Sequence, residues 1–181
     1  MRVLIAALAA LMLAACSPEY DWREIRTPDS GYAVMLPGKP ASMTRTIRLD
    51  AIESQMSMQG AKVGETSFTV AVAELPDDSP ATRESALAAM RAGMLRNIGG
   101  TESGARAVQV SRVDGTGAAL GRVPATRVDA GGALQGSPVA MSAGFVAVGN
   151  RAWQWVVMGP AVDREQADIF LDSFRLIQVP R

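Results

Sequence analysis

Three rhythms of apolar residues divide this chain. Residues 3–13, VLIAALAALML, are apolar without a break. From residue 32 onward apolar and polar positions alternate in short runs, the period of a strand with one face buried. Tyr32, Val34 and Leu36 form the first such run and stop at Pro37-Gly38-Lys39-Pro40. Residues 43–49 alternate again, as do 52–59, where Ile52, Ser54, Met56 and Met58 share one side. A turn at 60–64 then leads to a fourth strand marked by Phe68, Val70 and Val72. The third rhythm is helical. Leu87, Met90, Met94, Leu95 and Ile98 fall on one stripe, with Ser79 as N-cap, Pro80 at the first helical position and Gly99-Gly100 as the stop. Alternation resumes at Val108 and Val110, and Asp114-Gly115 reads as a hairpin turn. Residues 120–128 follow, with Pro124 drawing that strand towards an edge or a bulge. After Gly131-Gly132 come strands at 139–148 and 151–158, and a closing helix over 163–174 with Ile169, Phe170 and Phe174 inward. The predicted order is ββββαββββα. It describes an α+β domain, a mainly antiparallel sheet of about eight strands with two packed helices.

The unbroken run at the front belongs to a different kind of segment. Eleven residues are too few for a bilayer span, which takes roughly 20, but they suit the apolar core of a secretory signal. Arg2 supplies a positive start, and the run gives way to Leu13-Ala14-Ala15-Cys16. That tetrapeptide resembles the lipobox of bacterial lipoproteins. The resemblance implies cleavage between Ala15 and Cys16, with Cys16 carrying S-diacylglycerol and an N-acyl chain. It also makes Ser17 a sorting position, where Ser rather than Asp favours the outer membrane, periplasmic face, over the inner membrane. The expected division is a cleaved signal over 1–15, a short tether over 16–21 and a single α+β domain over 22–181. An ordinary signal peptide or a buried N-terminal helix are the alternatives, and a lone Cys is often a small core residue. A single cysteine standing where the apolar run stops favours modification.

Charge and composition narrow the field. The full chain carries 18 basic and 18 acidic residues, and loss of the signal removes only Arg2 among them. Such a balance leaves no footprint for nucleic acid and no polybasic patch for anionic lipid. With its only thiol lipidated the chain has no disulfide, so stability must come from the core.

Two further stretches carry a likeness. GYAVMLPGKP at 31–40, after a Trp-bearing N-terminal segment, and FLDSFRL at 170–176 resemble motifs of a diffuse group of small bacterial envelope proteins. Their domains are similar to the PsbP-like α/β/α sandwich. The resemblance implies that sandwich and a role in binding protein partners, and it brings no catalytic residue with it.

The residue inventory is spare in chemistry. There is no histidine, which removes His-based triads, His metal sites and the commonest general base. Gly115, Gly117 and Gly121 miss the dinucleotide-binding spacing by one residue and follow a hairpin signal. Asp77-Asp78 and Asp163/Glu165 stand where helices begin, so capping explains them better than calcium or acid–base work. The Met56/Met58 pair could bind copper, but alternation already accounts for it as core. Trp153 and Trp155 share one strand face. Core is the simpler reading, and an exposed aromatic surface for a partner or ligand is the sharper one. Arg45, Arg48, Arg112, Arg122 and Arg127 could line an anion-binding face, or stand scattered in solvent. The expectation is therefore a non-catalytic lipoprotein with no cofactor and no metal. Cys16 holds it to the membrane, and it has an envelope protein as partner. The alternatives are a small-molecule or lipid binder using a cleft between sheet and helix, and, further off, a carboxylate-based hydrolase.

Overall fold

Residues 19–178 are described by the computed structural model; Cys16, its lipobox and Ser17 lie outside them. The period-two segments become strands of one ten-stranded sheet. In chain order they are β1 (Arg23–Thr27), β2 (Tyr32–Leu36), β3 (Ala41–Leu49), β4 (Ile52–Val63) and β5 (Thr66–Glu74). After α1 (Pro80–Asn97) come β6 (Thr101–Asp114), β7 (Ala119–Leu134), β8 (Ser137–Val148) and β9 (Arg151–Gly159). Then α2 (Arg164–Ser173) and β10 (Arg175–Gln178) close the chain. Across the sheet the order is β1-β2-β10-β6-β7-β8-β9-β5-β4-β3. Every neighbouring pair is antiparallel except β10 beside β6.

This overturns the expected PsbP-like sandwich of about eight strands. The described part is mostly β, a curled half-barrel with 19% of the described residues helical. Two short strands make the difference. β1 pairs with β2 across a tight turn in which Gly31 takes a left-handed φ of 71°. The FLDSFRL stretch does not stay helical either. The Ser173 hydroxyl donates to the Phe170 carbonyl and accepts from Met35 N–H, Phe174 turns extended, and Arg175 starts β10. β10 then joins β2 to β6 and makes one sheet of what the pattern suggested were two runs.

The sheet curls round α2. One core cluster joins Tyr32, Val34 and Leu36 at one end of the sheet to Phe68, Val70, Trp153, Trp155 and Val157 towards the other, with Phe170 and Leu171 of α2 and Phe174 just after it between them. The opposite face carries α1, where Met90 and Ile98 bury against Met56, Ala71, Val128, Ala143 and Val156. Ser79 caps α1 through its hydroxyl, which accepts from Thr82 N–H at 3.2 Å. Gly99 and Gly100 close it by donating to the carbonyls of Arg96 and Leu95, a Schellman ending. Asp163 caps α2 through Gln166 N–H.

Several local expectations need correcting. Gly131-Gly132 is not a turn but the inside of β7. A Cβ at 132 would strike the Ile98 carbonyl, and that carbonyl accepts from Ala133 N–H at 2.7 Å. Gly132 on the strand and Gly100 at the helix end let the end of α1 lie directly on β7, whereas a Cβ at Gly131 would meet nothing. Gly60 likewise stays within β4. Pro124 sits in an interior strand, yet β8 pairs with β7 only from Thr126 onward, so at Pro124 the strand has a neighbour on one side alone. Ile169 is exposed rather than inward.

Candidate functional site

A row of directly opposed residues crosses the concave face: Arg106 on β6, Arg127 on β7, Gly144 on β8, Trp155 on β9 and Val70 on β5. Two arginines facing each other across a strand pair repel. The structure separates their charges by giving each its own acids. Arg106 pairs with Asp129 at 3.0 Å, and Asp129 also accepts the Ser142 hydroxyl. Arg127 reaches α2, where its two terminal nitrogens meet Asp172 at 2.6 Å and Asp168 at 3.2 Å. Asp168 and Asp172 stand four apart on α2, which puts both carboxylates on one face. The Arg127 side chain is only 8% exposed, and its Nε has no hydrogen-bond partner among the described residues.

Beside this network, between α2 and strands β6–β8, opens a cleft of about 600 Å³. Arg106, Arg127 and Arg164 meet Asp129, Asp168 and Ser142 along its walls, while Ala130, Met141, Val162 and Leu171 supply its apolar part. Arg164 makes no ion pair among the described residues, although it opens α2 at the end where a helix disfavours cations. The cleft thus sets paired and unpaired arginines against an apolar end.

The sequence's aromatic pair is elsewhere. Trp153 and Trp155 are 4% and 1% exposed, so the reading of them as a partner or ligand surface is corrected. Trp155 stacks on Phe174 at 4.2 Å and donates to the Leu171 carbonyl, and Trp153 donates to the Ser30 carbonyl. Both N–H groups are spent inside the fold. The arginine set divides. Arg127 enters the cleft network, Arg112 bonds Gln178, Arg122 is exposed, and Arg45 and Arg48 lie on β3. Met56 is buried core, as alternation implied, and Met58 is half-buried against the same cluster.

Two carboxylates titrate abnormally, and each sits at a turn outside the cleft. The Ser79 hydroxyl and N–H hold Asp77 below its usual range, and the Thr116 hydroxyl does the same for Asp114 with help from Ala118 N–H. No group of three potential acid or thiol ligands clusters for a metal among the described residues. No helix among them is long and apolar enough to cross a membrane.

The N-terminal segment is bound to the domain from its first described residues. Tyr20 stacks on Trp22, both meet Phe68 edge-on, and Trp22 N–H donates to Gln166 at 3.1 Å. Cys16, Ala15 and Ser17 precede this clamp.

Arg106, Asp129, Ser142, Arg164, Asp168 and Asp172 escaped the sequence reading. The available signal was the Asp168/Asp172 pair, an acidic helix face beside Phe170 that asks for a cationic partner across the interface. No protein-family model matches this sequence, and no curated protein is significantly similar to it.

Proposed function

We propose that this chain is a lipid-anchored, periplasm-facing lipoprotein of the cell envelope with a non-catalytic, partner-binding role. Leu13-Ala14-Ala15-Cys16 supplies the anchor, and Ser17 favours the outer membrane. The observation that carries the reading is the Tyr20–Trp22 clamp. If Cys16 is lipidated, the stretch to Tyr20 covers at most about 14 Å, so the domain sits against the bilayer rather than on a leash. Two or more acyl chains make such attachment effectively permanent. A globule fixed at that height is suited to hold an envelope protein near the membrane surface.

Mass spectrometry of the mature N-terminus tests the anchor. A diacylglyceryl, N-acylated Cys16 is expected, with palmitate label entering wild type and absent from Cys16→Ser. A mature chain that starts elsewhere, or an unmodified thiol, removes the proposal.

The cleft favours a second reading, binding of a small anionic amphiphile between α2 and the sheet. Its support is the unpartnered Nε of buried Arg127 beside unpaired Arg164. Native mass spectrometry of protein purified from its own envelope would find a bound small molecule, lost in Arg164→Glu. Recovery of only the bare chain argues against this second reading.

A further inference from the structure

One hairpin stands clear of the sheet, at the end where the N-terminal clamp sits. β6 starts at Thr101 and β9 stops at Gly159, and both fall on one row, since Thr101 pairs with Gly131, Gly131 with Ala140 and Ala140 with Gly159. β7 and β8 run on past that row through Gly132↔Val139, Ala133↔Pro138 and Leu134↔Ser137, about 10 Å at 3.3 Å per residue. A two-residue turn closes them, with Gln135 at a φ of 51° and Gly136 at 84°, as tight hairpins prefer. The base is braced by α1, whose Ile98 carbonyl accepts from Ala133 N–H at 2.7 Å. From Ala133 to Pro138 every residue is exposed, Leu134 to 42%.

The hairpin is also without charge. No acidic or basic residue occurs from Ala130 to Asn150, the longest uncharged stretch in the chain. A buried strand such as β8 needs no charge, and a single exposed leucine is ordinary. Neither reason covers the tip, residues 133–138, which faces solvent and is uncharged all the same.

The clamp says what lies in front of the tip. Tyr20 and Trp22 meet Phe68 near the Thr66 end of β5, and Trp22 donates to Gln166 in the first turn of α2. Val162 packs on the same cluster and lines the cleft with Ala140, so the clamp and the hairpin's base share one end of the sheet. Phe68 pairs with Val157 and Val157 with Ser142, which puts Ser137 about 17 Å beyond the clamp's row along the strands. From Tyr20 back to Cys16 the chain spans at most about 14 Å. A tip that reaches as far forward as the anchor arrives at the same surface. We propose that the β7–β8 tip rests in the headgroup layer of the bilayer that holds Cys16, with Leu134 turned to the acyl boundary. Anchor and hairpin then fix the domain's tilt at two points. The turn's unpaired backbone groups keep the tip out of the hydrocarbon, and its lack of charge lets it settle in the interface. One leucine is too little to hold a free chain on lipid, since even a single acyl chain holds only marginally. Beside the anchor it has only to orient. The inference rests on the lipoprotein reading above and gives the domain a membrane-facing end.

The test uses the full lipidated chain in vesicles of phosphatidylethanolamine and phosphatidylglycerol that carry a headgroup-nitroxide lipid. With Cys16 acylated, Ser137→Cys supplies one free thiol for a fluorophore at the tip. Ala118→Cys, also exposed, places the fluorophore just before β7, at the strand's other end. The nitroxide should quench the tip at least about threefold more than the distal position. Leu134→Glu in the Ser137→Cys chain should cut that quenching by about half or more. Leu120→Glu, the same change at a 46%-exposed leucine far along β7, should leave it within about a fifth. Equal quenching at both positions, none at the tip, or no response to Leu134→Glu overturns the proposal. A tip shielded from aqueous iodide yet untouched by the nitroxide marks contact with a second copy and overturns it too. Flotation and mass spectrometry of the same vesicles separate the two readings. An acylated, floating chain with an unquenched tip removes the hairpin contact alone, and an unacylated chain removes the anchor and the contact together.

Discussion

Gly144→Ala should unseat the tryptophan about which α2 is packed. A Cβ built on Gly144 overlaps Cζ2 and Cε2 of Trp155 outright and lies 2.6 Å from Cη2, where real Cβ contacts do not come under 3.0 Å. The indole has nowhere to go. It is 1% exposed, lies flat on Phe174 with an interplanar angle of 6°, and donates to the Leu171 carbonyl at 3.1 Å. Overpacking of this kind costs about 1–3 kcal/mol. Losing the buried N–H bond adds about 1–3, and the aromatic stack about 0.5–1.5. We expect about 4 kcal/mol in all, a large share of the roughly 5–15 that holds a domain together. The melting temperature should fall by about 10 °C. Urea unfolding followed by far-ultraviolet circular dichroism gives the energy, and the near-ultraviolet signal reports the indole's asymmetry. Trp155→Phe in the Gly144→Ala background should return at least about 1 kcal/mol, because the smaller ring leaves room for the methyl. The sign is decisive, since alanine in place of an unconstrained strand glycine normally gains about 0.5–1 kcal/mol. A neutral or stabilised Gly144→Ala protein with a native near-ultraviolet spectrum would refute the packing described.

Gly93 gives the contrast: its added Cβ meets only the Arg96 guanidinium at 3.8 Å, so Gly93→Ala should stabilise α1 by about 1 kcal/mol, read as a higher urea midpoint. Asp168→Ala with Asp172→Ala strands a buried guanidinium and should cost about 2–4 kcal/mol, whereas Arg127→Met should be close to neutral. If Arg127→Met proves the more damaging of the two in urea titrations, the pair stabilises the fold in its own right. The Asp114 carboxylate is held low by Thr116, so its contribution is fully present above the unfolded value near pH 4 and is lost as pH falls through the lower folded one. Wild type and Asp114→Asn should therefore differ in urea midpoint at neutral pH and converge in acid; a gap constant with pH counts against that bond.

The elements legible in the sequence were those whose period and end signals agreed. α1 had a stripe, a Ser-Pro start and a Gly-Gly stop, and each does what its chemistry suggests. β1 and β10 were hidden for opposite reasons. β1 is an edge strand whose Ile25 is its only apolar side chain among charged neighbours, so alternation had almost nothing to register. β10 follows α2 so closely that Ile169, Phe170 and Phe174 read as one helical stripe and the strand after them went unseen. What divides helix from strand is the Ser173 hydroxyl bonded across to β2, a contact 138 residues away in the chain. Gly131-Gly132 misled because a glycine pair looks the same whether it bends a strand or lets another backbone lie against it.

The site was less legible because parity says which residues share a face but not what covers that face. Trp153 and Trp155 were rightly placed together, yet only the closure of the sheet through β10 brings α2 over them. Arg127 belongs to the same face as Trp155 and is sealed by the same helix, but as a cation it needed acids, and α2 carries them on its outward side. One helix thus makes a dry contact through Phe170 and Phe174 and an ionic one through Asp168 and Asp172. The cleft opens where the dry contact gives way to the ionic one. On the far face α1 covers the Leu49 end of β3 with apolar side chains, and Arg45 on that face makes no ion pair among the described residues.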